Sequence, residues 1–470
     1  MLILKQRYDI QIGFYCAEFT GVRLLSKSID KNSPFNRIIG TIMYNNSGYG
    51  PKVVREYNEL NILRFIKNEG PISRAELAKR YRISKAAVSE IVGHLLQQGY
   101  IIETGIGSST SLGGRKPILI SFNPKSGYAI GVEIKRDHAT VALTDLNAQI
   151  NARQIIAFKR GTALELVIEQ LCRIIDVFLK KRWIKTATPM GIGVAIPGLI
   201  DYKTGQILES DTLKNWQGFP IKDTFEKRVG IETRVENDVK ANCLGECRFG
   251  NGKNVQNFVY LWIGDGLGAG IIINGELYRG ISASAGEIGY YELGCFINNF
   301  NDYNLLYNGQ SNFGAILSSN VLLDGLKRGV QAQYPHLINE EEITIESIFN
   351  AARNNCPLAL EVVKEYGYLV GIVCINLINT LNPELILIGG YKNLFKQPLL
   401  LHYINEKIRL DTLRTPSHAV KIKPAALDDN AGILGAVGLI LEDLFYMDRI
   451  NIPKYRSLFG INKKYLPVFL

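Results

Sequence analysis

Residues 128–145 read YAIGVEIKRDHATVALTD, two apolar runs with the charged cluster Glu133–Asp137 at their join. Alternation at Val132 and Ile134, then at Ala139, Val141 and Leu143, predicts two short strands in a tight hairpin whose turn is EIKRDH. A hairpin that holds a nucleotide phosphate needs glycines there, because only a bare backbone brings several N–H groups up to an anion. This turn has none. The hairpin is either the opening of an enzyme or of something that only looks like one.

Outward from the hairpin, strands and helices alternate. A third apolar segment spans 149–158, and LELVIEQLCRIIDVFL keeps Leu164, Val167, Ile168, Leu171, Ile174, Ile175 and Phe178 at helical spacing. The strand GIGVAI, the loop Pro197-Gly198, the strand IETRVE and the helix DVKANCLGECRF follow. Next comes VYLWIGDGLGAGIIINGELYRG, with Asn274-Gly275 at its tight turn. A helical stretch near 314–328, a long helix near 357–381, the strand ELILIGG, another helix and the glycine-rich AGILGAVGLILEDLF complete the pattern. It is α/β, without a short internal repeat.

Upstream the pattern changes. REYNELNILRFIKN (55–68) sets Leu60, Leu63 and Ile66 on one helical side, and Ser73-x-x-Glu76 is a capping box opening RAELAKRY. The short join RIS leads to a helix capped by Ser84, with Val88, Ile91, Val92, Leu95 and Leu96 as its apolar stripe. YIIETG and PILISF read as strands around the loop GSSTSLGGRKP. Helix, helix, tight turn, helix and wing make a winged helix-turn-helix over residues 51–124. The start of its third helix presents Ser84, Lys85, Ala86 and Ser89, short side chains and one cation that fit a major groove. Arg115 and Lys116, set off by Gly113-Gly114 and Pro117, fit a narrow minor groove. A small helical domain for protein contacts is the competing reading.

Charge favours DNA. The net charge is +10, and residues 1–124 hold 17 Lys and Arg against 9 Asp and Glu, leaving 37 against 35 for the rest. A polyanion partner is therefore expected at the N-terminal quarter. At 470 residues, 46% apolar and 21% charged, the chain is expected to form several globular domains. No apolar run reaches a membrane span. The seven cysteines, Cys16, Cys172, Cys243, Cys247, Cys295, Cys356 and Cys374, are odd in number and lack CxxC spacing, as expected of thiols in the cytoplasm. Residues 1–50 read as a poorly ordered extension, with Met43 an alternative start, and 448–470 as a tail.

Four ordered motifs, ENDVKANCLGECRFG, GDGLGAGIIINGELYRG, SAGEIGY and LNPELILIGG, resemble the ROK family (repressor, open reading frame, kinase) over residues 125–447. With the winged helix in front, the chain is similar to the sugar-responsive repressors of that family, xylose and N-acetylglucosamine repressors among them. The resemblance implies a two-lobed, actin-like (ribonuclease H-like) ATPase fold with a sugar cleft. It also implies that Asp238 matches the family's catalytic Asp, an ionised group at a helix start or a plain N-cap. Active kinases of the family carry an Asp-x-Gly-Gly-Thr loop where EIKRDH stands, and Thr where Asp265 stands between Gly264 and Gly266. Members with zinc have a His where Tyr290 stands and a CxCGxxGC loop where only Cys295 remains. The resemblance therefore implies no metal, no cofactor and no catalysis. The candidate sugar partners are Asn237, Asp238, Glu287 and Tyr290. The expected protein is a repressor of carbohydrate-utilisation genes, binding operator DNA as a homodimer or higher oligomer under a carbohydrate effector. An active sugar kinase carrying a DNA-binding domain is the alternative.

Overall fold

A computed structural model describes residues 51–107, 116–297, 299–333, 344–391 and 394–445. The extension 1–50, most of the wing including Arg115, and the tail 448–470 lie outside them. Residues from Tyr57 onward form one compact unit.

The helix-turn-helix follows its local signals. Helix α1 (Pro51–Glu69) is followed by β1 (Ile72–Ser73), α2 (Arg74–Tyr81) and α3 (Lys85–Gln97). Ser73 Oγ accepts from the Glu76 N–H, and the Glu76 carboxylate accepts from the Ser73 N–H at 3.0 Å, so the capping box forms. The Ser73 N–H and hydroxyl, both donating to the Glu76 carboxylate, hold that carboxyl below its ordinary range. Arg82, left-handed at φ 53°, stops α2. Ser84 Oγ then accepts from Ala87 N–H at 3.1 Å to start α3. Strands β2 (Ile101–Ile106) and β3 (Ile118–Phe122) complete a small antiparallel sheet in which β3 lies between β1 and β2.

The first lobe begins with β4 (Gly127–Ile134), β5 (His138–Asp145) and β6 (Ile150–Ala157), an antiparallel meander built on the opening hairpin. Helix α4 (Leu164–Leu179) crosses to β7 (Thr188–Ile196), parallel to β4. A ribbon, β8 (Leu199–Asp201) and β9 (Gln206–Glu209), and helix α5 (Ile221–Val229) precede β10 (Thr233–Asn237), parallel to β7. The sheet order is β6-β5-β4-β7-β10.

The second lobe repeats this plan. After α6 (Asp238–Phe249) come β11 (Phe258–Ile263), β12 (Leu267–Ile273) and β13 (Glu276–Tyr278). Asn274 and Gly275, at φ 53° and 77°, turn β12 into β13, making a three-stranded meander where the sequence suggested one hairpin. Helices α7 (Phe313–Ile316), α8 (Ser319–Gln333), α9 (Ile345–Arg353) and α10 (Pro357–Leu381) lead to β14 (Leu385–Gly390). Helices α11 (Pro398–Asp411) and α12 (Arg414–Ala419) precede β15 (Lys421–Pro424). The order β13-β12-β11-β14-β15 matches the first sheet strand for strand, the duplicated plan of the actin-like fold.

Helix α13 (Ala431–Phe445) ties the parts together. Its first half runs against α6 and β7 at backbone distance: a methyl added to Gly435 would collide with the Ala241 carbonyl, and one added to Gly193 with the Ala436 carbonyl. Its second half joins another core. Val437, Ile440, Leu441, Leu444 and Phe445 share one buried cluster with Leu60, Leu63, Ile66, Val88, Val92 and Phe122 of the winged helix. Arg64 Nε donates to the Leu444 carbonyl at 2.8 Å, and the Lys67 ammonium lies 4.9 Å from the Phe445 ring. Burial pushes the Lys67 amine below its ordinary pKa. No helix among the described residues is long and apolar enough to cross a membrane.

Candidate functional site

Strand β10 ends and α6 begins where the chain leaves the first lobe's sheet for the second lobe. Asn237, not Asp238, is the N-cap: its Oδ1 accepts from Lys240 N–H at 3.0 Å, because its backbone is the last outside the helix. Its Nδ2 donates to the Gly198 carbonyl and to Asp238 Oδ1, both at 3.0 Å. Both amide protons are committed within the protein, so Asn237 braces this junction.

Asp238 is the first helical residue, and its Oδ1 also accepts from Val239 N–H at 2.9 Å. Burial pushes its pKa up to about 6, with the charges of Glu133 and Glu287 adding to the effect. The ionised form expected from the helix start is thus opposed by enclosure. The bond from Val239 lowers the pKa but does not prevail.

Lys240 went unnoticed in the sequence. A lysine in a first helical turn reads as a solvated cation; here it is only 2% exposed, with Nζ 3.5 Å from Glu287 Oε1. The hint was its setting in VKANCLG, among small and apolar neighbours. Glu287 itself remains exposed enough to meet a ligand. Asn237, Asp238, Lys240 and Glu287 therefore form one polar cluster. Tyr290 stands apart, 68% exposed, and its hydroxyl donates at 3.0 Å to Asp211 of the first lobe. That bond links the two lobes and raises the pKa of the Tyr290 hydroxyl.

On the phosphate side, Glu133 is buried beside Lys135 at 3.4 Å, and its carboxylate packs against Gly432 in the first turn of α13. Burial raises its pKa. A carboxylate thus occupies a helix start of the kind that binds phosphate elsewhere. The adjoining cavity, lined by Glu133, Lys135, Trp262, Tyr391 and Lys396, holds only about 40 Å³, against roughly 300–1,000 Å³ for pockets that take small molecules. Asp265 is exposed in the turn between β11 and β12. Cys243 and Cys247 are buried core thiols, the latter pushed up to about 11 by burial. Among the described residues no three His, Cys, Asp or Glu side chains gather as metal ligands.

On the winged helix, Lys85, Ala86 and Ser89 are exposed on the first turns of α3, as is Lys116 at the foot of the wing. Ser84 is exposed too, but its Oγ is engaged in capping. Arg115 falls outside the described residues. Arg74 Nη2 bonds Glu103 at 3.1 Å, tying α2 to β2.

The family model described as ROK family matches residues 129–443, and that described as MarR family matches 56–105. The xylose repressor of Caldicellulosiruptor bescii is 30% identical, the match covering 86% of this chain and 98% of that protein. The DNA-binding transcriptional dual regulator NagC of Escherichia coli K12 is 28% identical over 83% of this chain and 93% of its own. A crystal structure of a ROK family transcriptional regulator, homologous to the E. coli MLC protein, superposes with a TM-score of 0.69 at 26% identity, covering 86% and 99% of the two chains.

Proposed function

The chain belongs to the ROK family, and we propose that it is a sugar-responsive transcription regulator, a repressor of carbohydrate-utilisation genes that binds operator DNA as a homodimer or higher homo-oligomer. The observation that carries this reading is the shared core of the winged helix and α13. Helix α6 bears Asp238 at its start and packs along α13, and α13 holds the DNA-reading unit. A sugar that binds one arrangement of the lobes more tightly than the other shifts α6 and α13, and with them the spacing of two recognition helices in a dimer. Lys85, Ala86 and Ser89 read the major groove, and Arg115 with Lys116 the minor groove. Asp238 and Glu287 bond the sugar hydroxyls, Asn237 braces them, and Tyr290 latches the lobes at the rim.

Phosphoryl transfer is not part of this function. Supporting that are Glu133 at the α13 start, the cavity of about 40 Å³ beside it, and Asp265 in the second turn. The kinase alternative draws on Asp238 alone, whose raised pKa suits a general base. Gel-shift titrations of the full chain on DNA from its own gene neighbourhood, repeated with a panel of pentoses and hexoses, test the proposal. Release by one sugar, with no sugar-dependent ATP turnover, is expected. ATP turnover that disappears in Asp238→Asn would replace the regulator reading by the kinase.

A further inference from the structure

A second cavity, of about 390 Å³, is lined by neither Asp238 nor Glu287. It falls within the size of small-molecule sites. Its walls come from the β8–β9 turn (Tyr202, Lys203), from Lys222 of α5, from β10, from β13 and the residue after it (Glu276, Arg279), and from Leu439 of α13. None of the four residues expected to bind sugar lines it.

The charges on these walls are unequally committed. Arg279 Nε donates to Glu236 Oε2 at 2.6 Å, and Glu236 is 1% exposed. The Arg279 guanidinium also stacks 4.8 Å from the Tyr202 ring. Arg234 is held by Glu232 and by the Leu439 carbonyl, and Glu442 by Arg248. Lys203 and Lys222 form no ion pair among the described residues, and neither does Glu276. The β8–β9 turn that carries Lys203 packs on the helix that carries Lys222, since a methyl added to Gly205 of that turn would strike Cβ of Lys222. Glu276 belongs to the opposite lobe.

We propose that this cavity is a binding site for a small polyol phosphate. Two ammonium groups without a carboxylate partner among the described residues, that of Lys203 resting 6.0 Å from the Tyr202 ring, match a phosphate dianion, and the Glu276 carboxylate on the other lobe accepts from hydroxyls. The Tyr202–Arg279 stack belongs to the same lining. A ligand so held touches both lobes and α13, so its occupancy favours one arrangement of them. The site stands independently of where the sugar binds.

Calorimetric titration of the full chain with glucose 6-phosphate, glycerol 3-phosphate, inorganic phosphate, glucose and glycine tests this. Both organic phosphates are expected to bind saturably, one per chain. Lys203→Ala and Lys222→Ala should each weaken them about tenfold or more, while Lys203→Arg and Lys222→Arg retain binding. Glu276→Ala should weaken the organic phosphates and leave inorganic phosphate unchanged. Glu287→Ala, which the cleft reading expects to weaken a free sugar, should leave the organic phosphates and inorganic phosphate unaltered. The proposal falls if no saturable binding occurs, if the lysine variants bind normally, if glycine binds better than the organic phosphates, or if Glu287→Ala removes binding and so puts the ligand in the cleft.

Discussion

Replacing Asp238 by Asn should make the effector lobes more stable at neutral and alkaline pH. The carboxyl has a pKa of about 6 in the fold against an ordinary 3.8. The native state therefore binds the extra proton, and wild-type stability falls as pH rises from 3.8 through 6. Fully ionised, the group costs about 3 kcal/mol, from 1.36 kcal/mol per pKa unit, an upper figure because the cleft admits some water. Asn keeps Oδ1 as acceptor for the Val239 N–H and cannot ionise. Its advantage should approach about 3 kcal/mol at pH 8 and shrink to about 0.5 kcal/mol at pH 4. Trp183, Trp216 and Trp262 are the protein's three tryptophans and all lie in the two lobes, so urea unfolding followed by their fluorescence reports on those lobes. An Asn variant less stable than wild type at pH 8, or a difference constant across pH, would refute the enclosure of Asp238.

Glu287→Ala should remove the effector's influence on operator binding at about 1–3 kcal/mol per lost hydroxyl contact, leaving effector-free DNA affinity unchanged; an intact sugar response in a gel-shift titration would relocate the ligand. Arg115→Ala should flatten the salt dependence of DNA binding by about one unit of slope if it contacts a phosphate, and reduce preference for A·T-rich flanks. Lys85→Ala should change base preference within the half-site by roughly 1–3 kcal/mol, and selection from randomised operators separates the two effects. Leu441→Ala, at a fully buried position in the core shared by α13 and the winged helix, should cost about 2–5 kcal/mol and speed proteolysis of residues 57–122 ahead of the lobes.

What the sequence disclosed was whatever neighbours along the chain decide. The capping box at Ser73 and Glu76, the cap at Ser84, helix Leu164–Leu179 and helix Pro357–Leu381 all rest on contacts a few residues apart, and all were legible. The β10–α6 junction was legible to within one residue, Asn237 taking the cap that Asp238 could have held. The cluster of Asp238 and Glu287 came from motif order. Lys240 escaped because its burial depends on Glu287, 47 residues away. Asn237 was expected to face the sugar, yet its partner at Gly198 lies across a loop that spacing does not reveal. The twin strand orders were invisible for the same reason: no short repeat marks them, since the two halves share hydrogen-bond topology and not residues.

The bond from Arg64 to Leu444 spans 380 positions of sequence. On the ribosome, the winged helix emerges about 300 residues ahead of α13. Until α13 follows, the apolar flank of the winged helix that awaits Leu441, Leu444 and Phe445 stays uncovered. A chain broken off before α13 lacks both the helix that completes the winged-helix core and its fastening to the lobes. In the regulator proposed above, coupling of sugar to DNA therefore waits on the synthesis of α13, and a stop upstream of residue 431 removes it.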